Sequence, residues 1–205
     1  MKKAAILERT TLANRNQDSP ARTFNHVALS CVNIDALVDW WTQILGFEII
    51  SPIRHFTREA HPEQFKYTFC SYPQEMREVK FAILTTGNGV GIELFQFVDP
   101  APKQRDESFE YARVGYFHIC VTDPDPEKLL QKVIAHGGKQ MGDWMDYSRY
   151  GHIGHKGIYM QDPWGNVIEC MSLSIERVCS AANALGWYIQ EQQEQKEHQI
   201  STASL

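Results

Sequence analysis

The chain repeats itself, and the repeat constrains its fold more than any other feature. Phe24-Asn25-His26-Val27 and Tyr116-Phe117-His118-Ile119 open two halves in register, each as a strand-like run with a histidine inside it. Gly91-Ile92-Glu93-Leu94 and Val167-Ile168-Glu169-Cys170 close the halves in register, each as an apolar run with one glutamate. Between these runs each half carries a helical pattern and further strand patterns. One such unit cannot bury its own sheet face, so the two must pack together. The prediction is an α+β chain of two βαβββ modules.

The patterns divide the chain into five stretches. Residues 1–22 are polar and read as a flexible arm, 23–98 as the first module, 99–113 as a linker, 114–173 as the second module, and 174–205 as a C-terminal helix with a polar tail. In the first module, Asn33 is an N-cap for an amphipathic helix from Ile34 to Leu45, with Ile34, Leu37, Val38, Trp41 and Leu45 on one face and Gly46 at its end. Phe47–Pro52, Phe65–Tyr72, Val79–Thr85 and Val90–Phe97 read as strands, with a polar stretch over His55–Gln64. In the second module, Pro126–His136 reads as a helix stopped by Gly137-Gly138. A tight turn at Asp162-Pro163-Trp164-Gly165-Asn166 then precedes the Glu169 strand.

Composition excludes some partners. A net charge of −5 argues against nucleic acid and anionic membrane surfaces. No apolar run reaches the roughly 20 residues a membrane span needs, and Glu8-Arg9 interrupts the apolar start before a leader develops. The five scattered cysteines read as reduced, buried residues, so a cytoplasmic location is expected.

A carboxylate inside a half-buried strand is costly unless it is paired, hydrogen-bonded or metal-bound. His26, Glu93, His118 and Glu169 hold the same places in their halves. If pseudo-twofold packing brings them to one point, two imidazoles and two carboxylates make an N/O site for one divalent ion: Ni, Co, Mn, Fe or Zn.

These residues resemble those of the vicinal-oxygen-chelate superfamily, which includes glyoxalase I, methylmalonyl-CoA epimerase, extradiol dioxygenases and the bleomycin- and fosfomycin-resistance proteins. The resemblance rests on Phe24–Ser30, Ile34–Phe47, Gly91–Phe97, Gly115–Val121 and Gly157–Met171, with the Asp-Pro-x-Gly-Asn-x-Ile-Glu turn as its strongest mark. It implies that the two modules curve into a mixed-sheet cleft around a metal held by His26, Glu93, His118 and Glu169. It also implies a small-molecule substrate captured through two vicinal oxygens. Family members build the cleft within one chain or across a swapped dimer; a homodimer is the expectation here.

Glutamate in both halves resembles the glyoxalase and epimerase branch, an isomerase or lyase type that stabilises an enediolate or enolate, with Glu169 or Glu93 as the base. Ser30 and Phe97 stand where glyoxalase I usually has an arginine and an asparagine, so glutathione is not the expected substrate. The alternative is an extradiol Fe(II) dioxygenase with His152 and Tyr159 in the catalytic role, and a third reading is a ligand-sequestering protein without turnover. Arg149, His152, Lys156, Phe95 and Phe97 are the candidate substrate contacts. The stretch from Asp146 to Lys156 is the candidate specificity loop.

Overall fold

The computed structural model describes residues 22–103 and 109–179, together with residues 192 and 194. It is an α+β fold of two four-stranded mixed sheets with the same topology. The first unit runs β1 (His26–Ser30), α1 (Ile34–Trp40), β2 (Glu48–Thr57), α2 (Pro62–Tyr67), β3 (Glu78–Thr85) and β4 (Gly91–Asp99). The second runs β5 (Ile119–Thr122), α3 (Pro126–Ala135), β6 (Lys139–Asp146), β7 (Lys156–Gln161) and β8 (Val167–Met171), followed by the short helix α4 (Ile175–Val178). Strand order is β1-β4-β3-β2 in one sheet and β5-β8-β7-β6 in the other. In each, the first strand runs parallel to the last and lies at the sheet edge.

Local chemistry explains the helices. Asn33 Oδ1 accepts from Ala36 N at 3.1 Å to cap α1, and Gln96 Oε1 on β4 accepts from Ile34 N at 2.9 Å. After Trp40 the helix widens into a π-turn over Trp41–Leu45 and stops at Gly46, whose φ of 75° is left-handed. Asp125 caps α3 through Lys128 N, with Pro126 as its first residue.

Both helices lie in one core between the sheets. Ile34, Leu37 and Trp41 of the first unit pack in the same cluster as Ala82, Leu84, Ile92 and Leu94 of its sheet, and as Ile158, Met160, Ile168 and Cys170 of the other. Fully burying each aliphatic side chain is worth about 1.5–3 kcal/mol. Polar links join the halves as well. Trp40 Nε1 donates to His136 O at 2.9 Å, and Trp41 Nε1 donates to the buried Asp162 Oδ2 at 3.0 Å. Trp40 and Trp41 are packing residues, as their helical spacing predicts.

Several expectations need correction. Phe65–Tyr72 is not a strand: Pro62–Tyr67 is helical, and the segment to Met76 folds over the far face of the first sheet. The period misleads because Phe65 on the helix and Phe69 and Tyr72 in the turns after it, spaced three and four apart, all pack into one cluster with Phe56, Phe81 and Phe95. His55 is not in a loop; β2 continues through Pro52 to Thr57, with irregular register at Ser51 and Arg54. Cys31 and Cys170 are buried and reduced as expected, but Cys70, Cys120 and Cys179 are exposed. The C-terminal helix expected beyond Cys179, Trp187, His198 and the arm over residues 1–21 lie outside the described residues. Among the described residues no helix is long and apolar enough to cross a membrane.

Candidate metal centre

Strand alternation sorts each sheet into two faces. On β4, Ile92 and Leu94 face the shared helical core, so Glu93, Phe95 and Phe97 face the other way. On β8, Ile168 and Cys170 face the core, so Glu169 faces away. Each glutamate then meets the histidine of its own half. His26 Nε2 lies 3.6 Å from Glu93 Oε2, and His118 Nε2 lies 3.2 Å from Glu169 Oε2. The two pairs sit on faces turned away from the common core. Among the described residues no three His, Cys, Asp or Glu side chains come together as a metal-holding group. Each half therefore presents two donors, and the four are not united within one copy.

The donor chemistry of each pair fits a divalent ion. His26 Nδ1 is 2.7 Å from Asn25 Oδ1, an acceptor, so the ring places its proton there and turns the Nε2 lone pair toward Glu93. At 3.6 Å the two atoms are too far apart for a hydrogen bond, and a shared cation would make the contact favourable. Two atoms bound to one ion at about 2.0–2.2 Å each lie roughly 3 Å apart when at right angles. In the second pair His118 Nδ1 is buried with no hydrogen-bond partner among the described residues, so Nε2 carries all of that ring's polar contact.

The second pair is the more enclosed. Tyr159 is the cross-strand neighbour of Glu169 on β7, and its ring stands edge-on to His118 at 5.3 Å. Cys120 is the neighbour on β5. Tyr147 reaches the same face over Gly157: a Cβ there would run into the phenolic oxygen, so any side chain at 157 forces Tyr147 to shift. Desolvation of the acidic group, then the charge of Glu169, pushes the pKa of Tyr147, Tyr159 and Cys120 above its ordinary value. All three are neutral donors at neutral pH, arranged around one carboxylate.

The other candidates scatter. Lys156 turns to the helical side, where its Nζ pairs with Glu127 at 2.6 Å and lies 5.0 Å from the Trp144 ring centroid. His152 sits in the loop beyond a short 3-10 turn, its ring 6.5 Å from that of His155, and its backbone N donates to Tyr147 O. The side chain of Arg149 lies outside the described part of the structure. Phe95 is buried and Phe97 half-buried, both on the Glu93 face. Sequence reasoning missed Asn25, Tyr72, Cys120 and Tyr147 as neighbours of the pairs. Asn25 had a legible signal in its place before His26, whereas the phenols reach the pairs only through tertiary folding.

Two equivalent modules, each carrying a histidine–glutamate pair on the outer face of a mixed sheet, define a glyoxalase-like α+β protein. The family described as Glyoxalase/Bleomycin resistance protein/Dioxygenase superfamily matches over residues 23–170, and the chain belongs to it. A glyoxalase family protein from Bacillus cereus superposes with a TM-score of 0.58 at 17% identity, covering 77% of this chain and 97% of that one. A glyoxylase/bleomycin resistance protein/dioxygenase domain from Frankia sp. EAN1pec superposes at 0.51 with 16% identity, covering 74% and 98%. At these identities the likeness is one of fold. No curated protein matches the chain in a sequence search.

Proposed function

We propose that this protein is a divalent-metal-dependent enzyme of the glyoxalase-like isomerase or lyase type, acting on a small organic substrate with two vicinal oxygens. Residues 23–98 and 114–173 are its modules. The observation that carries the reading is the repeated pair: His26 on the first strand with Glu93 on the last, and His118, just before the first strand of its sheet, with Glu169 on the last. A bound Ni, Co, Mn, Fe or Zn ion would supply Lewis-acid charge opposite the substrate oxygens. His26, Glu93, His118 and Glu169 would hold it.

Because the pairs face outward on separate sheets, a second copy unites them. Among the described residues β1 and β5 are both edge strands, each paired on one side. Setting β1 of one copy beside β5 of another brings a His26–Glu93 pair to a His118–Glu169 pair, twice in a homodimer. Glu169 serves as the base. Its side chain is 14% exposed against 26% for Glu93, and the neutral donors of Tyr147, Tyr159 and Cys120 surround it. It takes the proton from a carbon α to the substrate carbonyl and returns it. Asn25 fixes the tautomer of His26, and Tyr159 holds the His118 ring in place.

The test is metal analysis of the purified protein followed by proton exchange of hydroxyacetone in deuterated water. The expected result is a bound divalent ion and metal-dependent exchange that Glu169→Gln abolishes while retaining its fold. Absence of any bound ion, with no binding on adding one, overturns the metal reading. Oxygen uptake with catechol in place of exchange would move the assignment to ring cleavage.

A further inference from the structure

The outer faces of the two sheets are not alike. On the second, Tyr147, Met171, Leu173 and Val178 form a closed cluster beyond Glu169. On the first, the row Glu93, Phe95, Phe97 continues along β4 toward the sheet end, and its partners on the edge strand are small. Ala28 stands opposite Glu93 and Ser30 opposite Phe95, both exposed. The row is therefore walled on one side and open on the other.

The wall is aromatic and comes partly from the segment following α2. Phe95 and Phe97 lie parallel, centroids 5.7 Å apart and planes 10° from each other. Tyr72 leans over both, at 6.0 and 5.9 Å. Phe65 and Phe69 bury that segment against the sheet, which holds Tyr72 in place. Tyr72 and Phe97 remain only half-buried. Two residues along a strand span roughly 6.8 Å, so the Phe95 ring begins one step from Glu93. In the second module the cross-strand partner of the glutamate is Tyr159; in the first it is Ile83, and the phenol near Glu93 comes from Tyr72 instead.

We infer that Tyr72, backed by Phe95 and Phe97, forms a stacking face that selects a substrate carrying a planar aromatic group next to its two oxygens. The inference rests on the metal reading for the position of those oxygens. Tyr72 is a specificity residue that touches substrate; Ala28 and Ser30 leave the space the ring enters.

Two chelators of the same oxygen pair, acetohydroxamate and benzohydroxamate, test it by calorimetric titration of the full-length, Mn-loaded protein. Benzohydroxamate is expected to bind at least tenfold more tightly. Tyr72→Ala and Tyr72→Leu should each cut that ratio at least threefold with acetohydroxamate affinity unchanged, and Tyr72→Phe, which keeps the ring, should preserve it. A ratio near one, or one indifferent to Tyr72→Ala and Tyr72→Leu, overturns the subsite and leaves the metal reading intact; that is also the result expected if a second copy covers the wall. If no ion binds, phenol titrated into the metal-free protein decides the matter by NMR. Shifts confined to the rings of Tyr72, Phe95 and Phe97 support the subsite without the metal, and their absence overturns it.

Discussion

Trp41 and Asp162 meet across 121 positions of the chain, indole N–H to carboxylate at 3.0 Å, and this bond ties the first helix to the turn that presents Glu169. Asp162 Oδ1 also accepts from the backbone N–H groups of Trp164 and Asn166, and Oδ2 from the Asn166 amide. The turn that marks the second module in the sequence is therefore also the seam between the modules.

Trp41→Phe keeps an aromatic ring but removes the indole N–H bond to a buried carboxylate and part of a fully buried side chain. It should lower unfolding stability by about 1.5–3 kcal/mol in denaturant titration. Asp162→Asn should destabilise too, because its NH2 would face donors on Trp41 and Asn166. Burial raises the Asp162 pKa above the ordinary carboxylate value despite these bonds. The folded state thus holds this proton more tightly than the unfolded chain does. Its contribution is fully present below the unfolded value and lost as pH rises through the folded one. The stability advantage of the wild type over Asp162→Asn should accordingly shrink as pH rises above about 4, and an advantage that grows over that range would contradict the assignment.

Asn25→Ala should weaken divalent-ion binding by about 10–100-fold, since it frees the His26 tautomer. Asn25 is exposed, so thermal stability without metal should hardly change. Competition against a chelating indicator measures the first effect and a melting curve the second. Equal ion affinity in both proteins would remove His26 from the ligand set.

Complementation distinguishes a site built across copies from one built within a copy. The double variants His26→Ala/Glu93→Gln and His118→Ala/Glu169→Gln should each fail to bind an ion. After unfolding and refolding as a mixture, heterodimers should regain one intact site per two. No recovery in a mixture that does form heterodimers would assign the site to a single chain.

Gly157→Ala puts a methyl group into the Tyr147 oxygen and 3.0 Å from Met145 Cε. Overpacking of this kind costs about 1–3 kcal/mol. Tyr147→Phe in the same chain removes the nearest atom and should recover part of the loss, a coupling that a double-mutant cycle reads directly.

How much of this was legible without coordinates differs by element. Helix α1 and strand β4 follow from short-range periodicity, because the same few residues that repeat in the sequence also make the buried face. The segment over Phe65–Tyr72 defeated that logic. Its aromatic residues suit strand and helix alike, and the sheet face available to bury them selected the helix. Lys156 was misleading for a related reason: its charge and place in the chain do not reveal that β7 turns it toward Glu127.

By itself the sequence determined the two-module repeat and the residue types of the two His–Glu pairs, since strand period and register are local properties of the chain. Only the tertiary structure decided which face of each sheet the shared core takes. Because Trp41, Ile34 and Leu37 bury against both sheets at once, Glu93 and Glu169 are turned outward on separate faces. That placement is a property of long-range packing, and it keeps the two His–Glu pairs apart within one copy.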